Sequence, residues 1–108
     1  MGFRAVCVIR TDVARWRGEG YELNMEGLAR RYDFEIAETL RFPDWHPLRI
    51  LQLGAAMDEH EAEVIIVPSL AHIGGKVVAA ELTRRWSIYA VGRSRTYLKG
   101  RRWYWPPV

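Results

Sequence analysis

Glu63-Val64-Ile65-Ile66-Val67-Pro68 decides the fold. Four consecutive β-branched residues, Val64 to Val67, stopped by a proline, predict a short strand. Apolar side chains on both faces of a strand need cover on both sides, as in the centre of a parallel sheet. Residues 3–9 (FRAVCVI) have the same character and predict a second central strand, adjacent to the first. Between and around these two, the pattern switches period. Residues 19–32 place Tyr21, Met25, Leu28 and Tyr32 on one helical face. The polar, glycine-punctuated VARWRGEG before them predicts a loop. Residues 34–40 alternate, Phe34 and Ile36 against Glu35 and Glu38, as a strand does. Two prolines break residues 41–47, and Pro47 suits a first helical turn. Leu48, Leu51, Ala55 and Met57 then form the stripe of a helix running to His60. Residues 69–75 predict a loop. Val77 or Val78, Leu82 and Trp86 predict a third helix, with Arg84 and Arg85 near its negative end. Residues 87–91 (SIYAV) predict a fourth strand, and Tyr97-Leu98 with Trp103-Tyr104-Trp105 offer a fifth strand or a hairpin.

Strands alternating with helices predict an α/β domain. Its expected form is a three-layer, flavodoxin-like or resolvase-like fold, with a mainly parallel sheet of four or five strands and helices on both faces. Residues 1–92 form this domain, and residues 93–108 a basic, aromatic C-terminal tail or an edge hairpin of it. A chain of 108 residues fits one domain. With 49% hydrophobic and 12% aromatic residues it can fill a core, which excludes global disorder. No apolar run approaches the roughly 18 residues of a membrane helix, so no membrane partner is expected. Arg4 and Arg10 interrupt the first ten residues, and no small-residue cleavage pattern follows, so no signal peptide is expected. Cys7 is the one cysteine, which excludes an intrachain disulfide and a CxxC site and points to a reducing cytoplasm.

Charge is distributed unevenly. Residues 1–83 hold nine Lys and Arg and all 13 acids, a balance of −4. Residues 84–108 hold seven cations and no acid, a balance of +7. That asymmetry points to DNA, another polyanion or an acidic surface as partner. Arg93, Arg95, Lys99, Arg101 and Arg102, with Trp103 and Trp105, are the expected nucleic-acid-binding residues. Three consecutive aromatics cannot all face inward from a strand, so they pack on the body, on another copy, or stack on a ligand.

In open α/β sheets a site forms beyond the carboxyl ends of the strands. Here those ends are Arg10-Thr11-Asp12 and Ser69-Leu70-Ala71-His72. Asp12 orienting His72, with Arg10 nearby and Thr11 or Ser69 as a hydroxyl nucleophile, would make an acid–base device. The competing assignment has Asp12 capping the following loop and His72 partly exposed on its own. No metal site is expected. Among His46, Asp58, His60 and Glu61 the close group is Asp58-x-His60, and positions two apart diverge on a helix. Gly74-Gly75-Lys76 lacks the rest of a phosphate-binding loop, and no GxGxxG follows the first strand. No cofactor is expected.

CVIRTD at residues 7–12 and AEVIIVPSLAHIGG at residues 62–75, with a charged helix between, resemble the N-terminal catalytic domain of serine recombinases, the resolvases and invertases. That family's first strand ends in Tyr-x-Arg-Val-Ser, and a later one leads into Leu-Asp-Arg-Leu-x-Arg and a helix. Of the first pattern Arg10 remains, while Asp12 stands at the position of the nucleophilic serine. Of the second, Leu70 remains and Ile73 is conservative, but Ala71, His72 and Gly75 replace the aspartate and two arginines. The resemblance spans roughly residues 4–91 and implies the fold, with strand cleavage lost: a carboxylate repels a phosphodiester rather than attacking it. The family's long dimerising helix and helix-turn-helix domain have no counterpart in the 17 residues after Val91. The expected function is a non-catalytic, resolvase-like binding module associated with nucleic acid through its C-terminal end. The rivals are an accessory protein forming homo-oligomers through its aromatic tail, and a small enzyme built on Asp12 and His72.

Overall fold

The computed structural model describes residues 2–14, 18–93 and 95–97. Strand β1 (Arg4–Arg10) runs into a single helical turn, α1 (Thr11–Ala14), and then helix α2 (Gly18–Tyr32). Strand β2 (Glu35–Phe42), helix α3 (Pro47–Glu59) and strand β3 (Val64–Val67) follow. A 3-10 turn (Leu70–Ile73) leads to helix α4 (Lys76–Leu82), strand β4 (Ser87–Ala90), a second 3-10 turn (Val91–Arg93) and strand β5 (Arg95–Tyr97). The sheet order is β2-β1-β3-β4-β5, parallel except for β5, which runs against β4. This is the flavodoxin-like order 2-1-3-4-5, with a reversed strand at one edge.

β1 and β3 are neighbours in the interior of the sheet, as their composition predicts, and alternate residues serve two cores. Ala5, Cys7 and Ile9 of β1 with Val64 and Ile66 of β3 meet Met25 and Ala29 of α2. Val6 and Val8 with Ile65 and Val67 meet Leu53 and Met57 of α3, Ala79 and Leu82 of α4, and Trp86. From β1 the chain first moves one way across the sheet, to β2, and then the other way, to β3 and β4. Right-handed crossovers therefore put α2 on one face and α3 and α4 on the other.

Four local expectations need correction. The stripe Leu48, Leu51 and Ala55 does not face the core: Leu48 is 60% and Leu51 69% exposed. Residues 48–57 hold two overlapping apolar stripes, and Ile50, Leu53, Ala56 and Met57 are the set that packs. Next, part of the expected loop after Arg10 is helical, and α1 buries Ala14. The third helix stops at Leu82, where the Thr83 hydroxyl donates to the Ala80 carbonyl at 2.9 Å, and Trp86 reaches the core from the turn beyond. Finally, Tyr32 is not core but lies 48% exposed, its ring stacked on Phe34.

Strand β2 is irregular at one point. Ala5 pairs with Ile36 but Val6 with Glu38, so Ala37 is an extra residue in β2. This bulge turns Ile36 and Glu38 to opposite faces although they are two apart. Ile36 packs on the α2 side, and Glu38 falls beside Val6 on the α3 side.

Candidate functional site

The strand order reverses between β1 and β3, so the carboxyl ends of these two strands frame the expected site. Arg10 is its centre. The backbone N–H of Arg10 donates to Nδ1 of His72 at 2.9 Å. Its guanidinium clasps Asp12 through two hydrogen bonds, at 3.0 and 2.6 Å, and donates a third, at 3.1 Å, to the carbonyl of Ala71. Such a planar fork on a carboxylate is the strongest form of the pair. Thr11 turns its hydroxyl to the Phe42 carbonyl at 3.4 Å, and Ser69 caps the 3-10 turn with its backbone, its carbonyl accepting from the His72 N–H at 3.1 Å.

The turn brings His72 inward, against its expected partial exposure: the residue is 1% exposed and its ring meets Tyr21 of α2 edge-on at 5.5 Å. Gly74 closes the turn with φ 87°, a left-handed conformation, and an added Cβ would run into the Trp45 indole. Burial and the Arg10 charge hold the His72 pKa below its ordinary 6.5, against a smaller opposing pull from Asp12. Arg10 in turn holds the Asp12 carboxyl below the usual carboxylate range. The imidazole is thus neutral, and because Nδ1 accepts, its proton sits on Nε2. In an acid–base relay the order is the reverse, with Nδ1–H facing the carboxylate and Nε2 free to take a proton. Asp12 and His72 are thus brought to one residue, Arg10, with their lone pairs already engaged.

Compared with known protein families, curated proteins and solved structures, the chain matches none.

Two other groupings lie away from the strand ends. A cavity of about 260 Å³ beneath α2 is lined by Cys7, Glu22, Met25, Glu26, Ile36 and Thr39. Burial pushes the Cys7 thiol up to about 12 despite a hydrogen bond with Thr39, so it stays a protonated, unreactive side chain. On the other face, Glu38 of β2 meets Glu59 and His60 at the end of α3. Of this trio the sequence singled out His60, but Glu38 lies 22 residues earlier and reaches it through the bulge at Ala37. His46 is instead 3.5 Å from Asp44, and Asp58 pairs with Arg85.

The backbone at Arg93 and Arg95 is described, at the turn into β5 and at its start. Lys99, Arg101, Arg102, Trp103 and Trp105 lie outside the described residues. β5 pairs Ala90 with Arg95 and Ile88 with Tyr97. At the buried Tyr97 the chain has therefore returned toward the end of β4 that follows Arg84 and Arg85, both exposed. Among the described residues, no helix is long and apolar enough to cross a membrane.

Proposed function

We propose that this chain is a non-catalytic, resolvase-like binding module that engages nucleic acid through its basic C-terminal part. The observation that carries this is charge segregation: seven cations and no acid in residues 84–108, against −4 in the rest. The antiparallel β5 supports it, because it directs the chain back toward Arg84 and Arg85, and Lys99, Arg101 and Arg102 follow Tyr97 within five residues. The strand-end geometry favours binding over catalysis, since Asp12 is held by Arg10, the Thr11 hydroxyl by the Phe42 carbonyl, and His72 Nδ1 by the Arg10 backbone N–H. A buried, protonated Cys7 fits a reducing cytoplasm.

The test is fluorescence anisotropy with short labelled single- and double-stranded DNA and RNA. If five cations meet phosphates of a duplex, log K falls against log salt with a slope of about −4 to −5. Replacing Lys99, Arg101 and Arg102 together with Gln lowers that slope by about 3. Absence of binding to every probe near ~50 mM salt overturns the proposal. Self-association is the second reading, favoured by exposed Leu48 and Leu51 on consecutive turns of α3. Light scattering on the same samples distinguishes it: a dimer that persists without nucleic acid and dissociates in Leu51→Glu supports assembly.

A further inference from the structure

We propose that Glu38, Glu59 and His60 form a binding site for a divalent first-row transition ion such as Zn²⁺. The three donor atoms come from the middle of β2 and the C-terminal end of α3, and all lie within 4.8 Å of one another. His60 Nε2 and Glu38 Oε1 are already 2.8 Å apart. An ion bonded at roughly 2.0–2.2 Å holds tetrahedral donors roughly 3.3–3.6 Å apart, so the His60–Glu38 pair opens slightly to admit it and the exposed Glu59 side chain rotates to complete the set. His60 stands at the C-cap of α3 with φ −92° and ψ 1°, so the backbone leaves the helix there. Glu59 is the last residue of α3 and His60 the next, so both side chains leave from the same end of the helix.

The charge around this group differs from that at six other acids. Asp12, Glu22, Glu35, Asp44, Asp58 and Glu81 each pair with an arginine. Among the described residues no Arg or Lys pairs with Glu38 or Glu59. Arg4 approaches the group only through the backbone: it donates at 3.0 Å to the His60 carbonyl and lies 3.9 Å from the Glu35 carboxylate instead. The α3 C-terminus adds the negative end of a helix dipole, which favours a cation. One imidazole and two carboxylates suit zinc, iron or manganese better than magnesium, which prefers an all-oxygen shell. Binding takes the Nε2 lone pair, so a proton on Nε2 either moves to Nδ1 in a neutral ring or passes to solvent from a doubly protonated one, and in both cases the bound ring keeps one proton, on Nδ1. Three protein donors leave a fourth position for water or a ligand oxygen. The ion would tie the edge strand β2 to the end of α3.

Isothermal titration of tag-free protein with ZnCl₂ is expected to show one site per chain. Glu38→Gln and His60→Gln, which both keep a hydrogen-bonding side chain and a folded circular dichroism spectrum, each weaken it more than about tenfold. His46→Ala, a half-buried histidine outside the group, leaves it unchanged, and excess MgCl₂ does not compete. Zinc also raises the melting midpoint of the wild type but not of His60→Gln. Absence of a one-to-one site, or a site that both variants retain, overturns the proposal. Equal competition by magnesium overturns the assignment to a transition ion.

Discussion

Two polar clusters among the described residues each bring a carboxylate and an imidazole together, and they behave oppositely. At the carboxyl end of β1, Asp12 and His72 converge on Arg10, which neutralises one and occupies the other. Beside the C-terminus of α3, Glu38, Glu59 and His60 converge on one another with no arginine among them. The first cluster is closed: its hydrogen bonds tie the end of β1 to α1 and the 3-10 turn, and Tyr21 of α2 packs edge-on against the buried ring. The second brings donor atoms of two carboxylates and an imidazole within 4.8 Å of one another. Arg10 thus takes up the acceptors that meet at the strand ends, whereas the proposed cation site draws on carboxylates that no arginine pairs among the described residues.

The largest expected difference between the clusters is in stability. His72→Ala empties a buried space and orphans the Arg10 N–H, and should lower the unfolding free energy by about 2–4 kcal/mol in urea titrations. A loss below ~0.5 kcal/mol would show that the ring is not part of the scaffold.

Next in size is the pH dependence. The folded His72 pKa lies below its unfolded value near 6.5, so the unfolded chain binds the proton first as pH falls. Its stabilisation is full above about 6.5 and declines below that, with a slope of up to about 1.4 kcal/mol per pH unit until the folded ring protonates. The slope should vanish in His72→Asn.

Smaller again, Glu38→Gln and His60→Gln should each change stability by less than about 1 kcal/mol, because both side chains are partly in water. A loss as large as that of His72→Ala would mean that the second cluster is also scaffold. The smallest effect is expected for Asp12→Asn. Arg10 lowers the folded Asp12 pKa, so its contribution is present above the ordinary value of 3.8 and lost as pH falls through the folded one. The variant should match the wild type at acidic pH and fall slightly below it near neutrality.

Much of the fold was legible in the sequence. β1 and β3 announced themselves because strands buried on both faces leave uninterrupted β-branched runs, and their adjacency fixed where Arg10, Asp12 and His72 would meet. The phase of α3 was not legible, since Leu48, Leu51 and Ala55 satisfy helical spacing as well as Ile50, Leu53 and Met57 do. Packing against Val6, Val8 and Trp86 decides between them. Nor was the role of Arg10 legible, because its bonds to Ala71 and His72 span 61 and 62 residues. Glu38 was hidden by a bulge, which reverses the side-chain alternation on which strand patterns rest.

The contrast between the clusters is tested most directly by ¹⁵N NMR of the histidine rings at neutral pH, before and after one equivalent of Zn²⁺. The expected spectrum shows His72 neutral, with an unprotonated Nδ1 and a protonated Nε2, and unchanged by the metal. His60 should lose its Nε2 proton and shift on addition of zinc. A shift of His72 instead, or a charged His72 ring in the folded protein, would contradict the account.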